Sequence, residues 1–78
     1  LLSSNDRIFE FMMNALRINN GFKKKFFEER TNLPIKIIKK ELSIAKNKKL
    51  LEEINGRIKP TLLGQQFLNE LLQIFLKD

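Results

Sequence analysis

The dipeptide Asn55-Gly56, set between Leu50–Ile54 and Arg57–Lys59, constrains this chain more than any other feature. Asn-Gly favours a type I′ turn, whose two central residues both need positive φ, and such a turn joins adjacent antiparallel strands. Thr61 follows almost at once and offers a helix N-cap. The stretch L-L-E-E-I-N-G-R-I-K-P-T-L-L-G, residues 50–64, therefore predicts a hairpin that leads straight into a helix.

Upstream of the hairpin the pattern is helical. Ser3, Ser4, Asn5 and Asp6 supply N-cap candidates, and Ile8, Phe9, Met12, Met13, Ala15 and Leu16 recur at helical spacing behind them. Asn19, Asn20 and Gly21 tolerate positive φ and end that helix. A short second helix fits Lys23 to Thr31, with Phe22, Phe26 and Phe27 as its anchors. Pro34 breaks it and opens a third helix from about Ile35 to Lys48, with Ile35, Ile38, Leu42 and Ala45 on the core row. The last helix runs from its Thr61 cap to about Leu76. The expected fold class is mainly α with a small β-hairpin, winged helix-turn-helix-like, with three helices, the hairpin and a C-terminal helix in a single domain spanning 1–78.

In that architecture the helix after the turn faces the DNA major groove, so composition becomes the next question. The 78 residues carry a net charge of +6, but the charge is not spread evenly. Between Gly21 and Lys49 ten basic side chains face three acidic ones, a local +7, while the remainder sums to −1. A basic segment of this kind is the footprint of nucleic acid, an acidic protein surface or anionic ligands, or else a solvated face. Lys36, Lys40 and Arg57 are the candidate anion contacts.

The third helix is poorly furnished for reading bases. Its outward face carries Lys36, Lys40, Ser43 and Asn47 with Ile37 and Ile44 beside them, and no arginine. Lysine contacts phosphate, which positions a protein without reading sequence. Glu52 and Glu53 precede the turn and would face a phosphate backbone unfavourably. The last helix is also unusually apolar, with Leu63, Phe67, Leu71, Ile74 and Phe75 on one stripe and Leu72 and Leu76 continuing round it. Core burial is the expectation for Phe67 and Leu71. Ile37, Ile44, Leu72 and Leu76 are the candidates for contact with another domain or partner.

Catalytic chemistry finds little to work with. The chain has no cysteine and no histidine, which excludes disulfides, thiolate metal sites and chemistry built on those side chains. Met12 and Met13 are potential soft ligands, but methionine on a helical apolar face is ordinarily core filler. The adjacent glutamate pairs 28/29 and 52/53 diverge on a helix or strand and make no dyad. No Gly-rich phosphate loop is present. The expected catalytic, cofactor-binding and metal-ligating residues are therefore none. No basic-plus-apolar leader and no membrane span can be read, and a start at Leu1 suggests a piece of a longer protein.

Three blocks carry a family resemblance: F-E-F-M-M-N-A-L-R-I-N-N-G (9–21), F-E-E-R-T-N-L-P (27–34) and G-R-I-K-P-T-L-L-G-Q-Q-F-L-N-E-L-L-Q-I-F-L (56–76). In this order they resemble the C-terminal domain of the oxygen-independent coproporphyrinogen III oxidase-like proteins, closest to the haem chaperone branch of that radical SAM family. Thr-x-x-Gly after a wing occurs in many winged helices, so the combination carries the specificity. Glu10, Asn14, Leu16, Arg17 and Gly21 match in the first block, and Thr61, Gly64, Phe67, Leu68 and Asn69 in the last.

The resemblance implies a cytoplasmic parent protein with an upstream radical SAM barrel, a [4Fe–4S] cluster, S-adenosylmethionine, and haem or porphyrin as the molecule handled. It implies a non-catalytic domain that packs on the barrel and helps bind or enclose the tetrapyrrole. Whether the parent is an oxidase or a chaperone is decided outside these residues. The alternative is a winged-helix nucleic-acid-binding module.

Overall fold

A computed structural model describes residues 3–18 and 20–76. The first helix, α1, spans Ser4–Ala15 and starts on a capping box: Ser3 Oγ accepts from the Asp6 amide, and the Asp6 carboxylate accepts from the Ser3 amide. Ile8, Met12 and Ala15 fall on its buried face, joined by Leu16, as the helical spacing predicts. Met13 stands 39% exposed on the opposite side. Asn19, part of the stop signal after this helix, lies outside the described residues.

Next comes a two-residue strand, β1 (Phe22–Lys23), which the sequence pattern does not announce. Phe22 thus belongs to a strand and pairs with Ile58, and it is also the buried anchor expected at the head of the second helix, its ring centroid 6.5 Å from that of Phe27. That helix, α2, spans Lys24–Thr31 and ends on Asn32 in the left-handed region.

The expected third helix is two pieces: a 3-10 turn at Ile35–Ile38, then α3 at Lys39–Asn47. The tighter turn follows from its surroundings. Pro34 fixes an extended entry, the Ile37 amide returns to the Pro34 carbonyl, and three β-branched residues crowd the first turn. Glu28 holds the start by accepting from the Ile35 amide at 2.8 Å. The helix closes with Lys49 at φ 65° while the Leu50 amide returns to Ala45.

The hairpin forms as expected. Strands β2 (Leu51–Ile54) and β3 (Arg57–Pro60) pair antiparallel, with Asn55 and Gly56 both at positive φ. β3 also takes β1 on its other edge, so the sheet has three strands in the order β1-β3-β2. With β1 as the addition, three helical segments and the hairpin then lead to a last helical segment, in the order read from the sequence.

That last segment is broken rather than continuous. α4 covers Leu62–Gln66, α5 covers Leu68–Ile74, and Phe67 between them has φ −115° and ψ 47°. Two anchors cause the break. Gly64 lies against the Leu50 carbonyl, which fixes α4 to the start of the hairpin. Leu71 and Phe75 bury among α1 and α3, which fixes α5 elsewhere. Phe67, placed in the core by its stripe position, is 46% exposed at the junction, whereas Leu71 is fully buried.

The core runs through all these elements, from Met12 and Phe27 through Ile38 and Ala45 to Ile58 and Leu71. Half-buried Phe11 meets Phe22 and Phe27 edge-to-face, with centroids 5.0 and 5.2 Å away. Phe26, expected as an anchor, is instead 44% exposed, and the Arg30 guanidinium lies 5.6 Å above its ring.

Candidate functional site

Large apolar side chains left in solvent are the first feature of the surface. Ile37 on the 3-10 turn is 40% exposed, Ile44 on α3 is 37% and Leu76 after α5 is 52%. Leu72, the fourth contact candidate, is half-buried and packs against the core edge. The sequence pattern does not single out α4, because Leu63 and Phe67 share one apolar stripe with Leu71, Ile74 and Phe75. Leu62 is 73% exposed, and Leu63 and Phe67 stand beside it in the chain with much of their surface free. The signal for this patch was the Gly64 position, which forces the helix backbone against the hairpin and turns its larger side chains outward.

The basic segment is sorted by the fold into distinct places. Arg57, expected to project from the wing, is the first residue of β3 and turns back across the sheet. Its Nε donates to the Asn20 carbonyl at 3.0 Å and a terminal nitrogen donates to the Gly21 carbonyl at 3.4 Å. Lys40 stands exposed on α3. Lys36 helps line a pocket of about 280 Å³ between the start of α2, the 3-10 turn and α3, together with Lys24, Lys39 and Lys46. Ser43 adds a hydroxyl at its margin.

Glu53 on β2 reaches the edge of this cluster. One carboxylate oxygen accepts from Lys46 Nζ at 3.0 Å and the other lies 3.3 Å from Lys24 Nζ. The Lys46 hydrogen bond, and after it that from Lys24, holds the Glu53 carboxyl below its ordinary value. The wing glutamate read as hostile to phosphate is thus partly neutralised by lysines on two other elements.

A second concavity of about 440 Å³ runs between α1 and α2, floored by Phe11, Ala15, Ile18 and Phe26 and edged by Arg7 and Arg30. Arg7 donates to the Thr31 carbonyl at 3.1 Å, and its Nε has no acceptor among the described residues.

The positions shared with the resembling family acquire physical roles here. A Cβ on Gly21 would meet the Ile58 carbonyl oxygen at 2.0 Å, and one on Gly64 would meet the Leu50 carbonyl oxygen at the same distance. Thr61 Oγ1 accepts from the Gly64 amide and donates to the Lys49 carbonyl at 2.6 Å, so it caps α4 and ties it to the turn after α3. Asn14 donates to the Glu10 carbonyl, Leu16 is core, and Leu68 packs on the core edge. Glu10, Arg17 and Asn69 are exposed.

A family model described as "HemN C-terminal domain" matches residues 2–67. The chain belongs to the HemN C-terminal domain family. Its relatives include the heme chaperone HemW of Buchnera aphidicola subsp. Acyrthosiphon pisum, 40% identical over 97% of this chain and 20% of that protein. The heme chaperone HemW of Haemophilus influenzae is 36% identical over 94% of this chain and 19% of its own length. The chain therefore spans about one fifth of the curated relatives it matches. No solved structure matches it significantly.

For a HemN C-terminal domain the question of a resident metal group has a clear answer in these residues. There is no cysteine to supply a thiolate and no histidine. No acidic cluster suited to a metal is found among the described residues. Met12, buried completely, is core filler, and Met13 is a lone thioether on an open helix face. An iron–sulfur cluster does not fit this donor set. Among the described residues, no helix is long and apolar enough to cross a membrane.

Proposed function

We propose that this HemN C-terminal domain is a non-catalytic packing module of a larger heme-chaperone-like protein, seated on the rest of that polypeptide through Ile37, Ile44, Leu72 and Leu76, and through the exposed apolar side chains of α4. The observation that carries the reading is the set of large apolar side chains held in solvent on the 3-10 turn, α3, α4 and the end of α5. Water-exposed apolar surface of this extent marks an interaction face. The relatives extend over about five times this length, which gives such a face something to pack on.

The relatives carry the name heme chaperone, so the molecule handled by the parent is haem or a related porphyrin, as cargo. This domain's part is to help enclose it, with no ligand to the iron supplied from its own side chains. An upstream radical SAM barrel in the cytoplasm, with its [4Fe–4S] cluster and S-adenosylmethionine, completes the proposal through the family resemblance. Ile37→Asp with Ile44→Asp in the parent is expected to lower its thermal unfolding midpoint and shorten haem retention. Unchanged stability and haem binding would show that the interface lies elsewhere.

A further inference from the structure

We propose that the lysine pocket is an anion site for a small ligand bearing two or more acidic groups, and that Glu53 is its resident competitor. The site stands on the convergence of Lys24, Lys36, Lys39 and Lys46 around one hollow of about 280 Å³. Lys36, Lys39 and Lys46 fall on one row of the 3-10 turn and α3, at i, i+3 and i+10, and the fold sets Lys24 of α2 against that row.

Glu53 displays the chemistry of the site. Each of its carboxylate oxygens serves one lysine, Lys46 at 3.0 Å and Lys24 at 3.3 Å. Four ammonium groups face the Glu53 carboxylate and, at the Ile35 wall, the Glu28 carboxylate held by the Ile35 amide, which leaves an excess of two positive charges around the hollow. Lys36 and Lys39 form no ion pair with the described residues. Half-buried Ile35 and buried Leu42 form the apolar part of the wall, and such a wall limits screening inside a concave site.

Lysine is a compact point charge without the planar fork of arginine, so the pocket selects for charge number more than for one planar group. A ligand with adjacent acidic groups can meet Lys36 and Lys39 with one of them. With the other it can displace Glu53 from Lys24 and Lys46. The volume is at the small end for ligand sites, so the pocket takes the acidic portion of a larger molecule or a small polyanion whole. Phosphate and carboxylate compounds share this chemistry. The inference does not depend on where the apolar face docks.

The test is calorimetric titration of the protein with inorganic pyrophosphate and, separately, with citrate, at low and at raised salt. Binding by either probe supports the site, and the stronger one identifies the source of the acidic groups. Lys36→Gln with Lys39→Gln is expected to weaken binding about tenfold or more, since two close charges are lost. Lys48→Gln with Lys49→Gln, on the same basic segment but outside the pocket, should change it less than about twofold.

Glu53→Gln should tighten binding several-fold, and that gain should vanish when Lys24 and Lys46 are also glutamine. All these side chains lie at the surface, and circular dichroism checks that each variant stays folded. The proposal is overturned if neither probe binds, if the two lysine pairs weaken binding equally, or if Glu53→Gln leaves the affinity unchanged. Ile37→Ser with Ile44→Ser removes the apolar contacts without adding charge beside the pocket lysines and should not affect pyrophosphate or citrate binding, so either reading can fail alone.

Discussion

Gly21 and Gly56 both sit at positive φ, 67° and 78°, yet the fold uses them differently. Around Gly56 a Cβ would find open space, while at Gly21 it would run into the β3 backbone. Gly56→Ala therefore carries only the left-handed conformational penalty, about 1–2 kcal/mol. Gly21→Ala adds a backbone collision that no side chain can relieve, and β1 must separate from β3. It is expected to cost at least ~2 kcal/mol more than Gly56→Ala. Equal losses in urea unfolding would show that β1 is not held by this contact.

Glu53 gives the residue scale its pH dependence. Its folded value lies below the ordinary 4.5, chiefly through the Lys46 and then the Lys24 hydrogen bond. A depressed carboxyl stabilises the fold fully above its unfolded value and loses that contribution as pH falls through the lower folded value. The melting temperature should thus fall below about pH 4.5 more steeply in the wild type than in Glu53→Gln, at low salt. The group lies at the surface, so the difference is small and shrinks as salt screens the pairs. Identical pH profiles for the two proteins would contradict the bridge.

At the scale of elements, the parts legible in the sequence are those with local chemistry. The Asn55-Gly56 turn, the Ser3 capping box, the Thr61 cap and the Ile38-Leu42-Ala45 row each announce themselves within a few residues. What escaped is decided by contacts distant in sequence. β1 is too short to show a strand pattern and exists because β3 offers an edge to it. The α4–α5 break depends on Leu50 meeting Gly64, which no periodicity reveals.

Thr61 is where local and distant demands meet, since one hydroxyl caps α4 and bonds the Lys49 carbonyl. Thr61→Ala is expected to cost about 1–2 kcal/mol, and Thr61→Ser to restore most of it. Thermal unfolding of the three proteins checks the order. A silent alanine would mean that Gly64 alone fixes α4.

For the whole molecule, sequence placed the basic excess and the surplus of apolar residues but not their geometry. Lys36 and Lys46 are ten residues apart and share a pocket, while Lys40 on the same stretch does not line it. Leu71 and Phe67 share a helical stripe on paper, yet the break sends one into the core and leaves the other in water. That division separates residues that hold the domain together from residues available to something outside it. Leu71→Ala should destabilise the domain by about 2–5 kcal/mol through lost burial and a cavity. Leu62→Ser with Phe67→Ser should change its own stability by no more than about 1 kcal/mol, each being a surface substitution. On the proposed docking, which covers the patch, the same double substitution in the larger parent should lower the unfolding midpoint. A loss above about 2 kcal/mol in the domain by itself would instead make these residues part of its own core, and the docking face would shrink to Ile37, Ile44, Leu72 and Leu76.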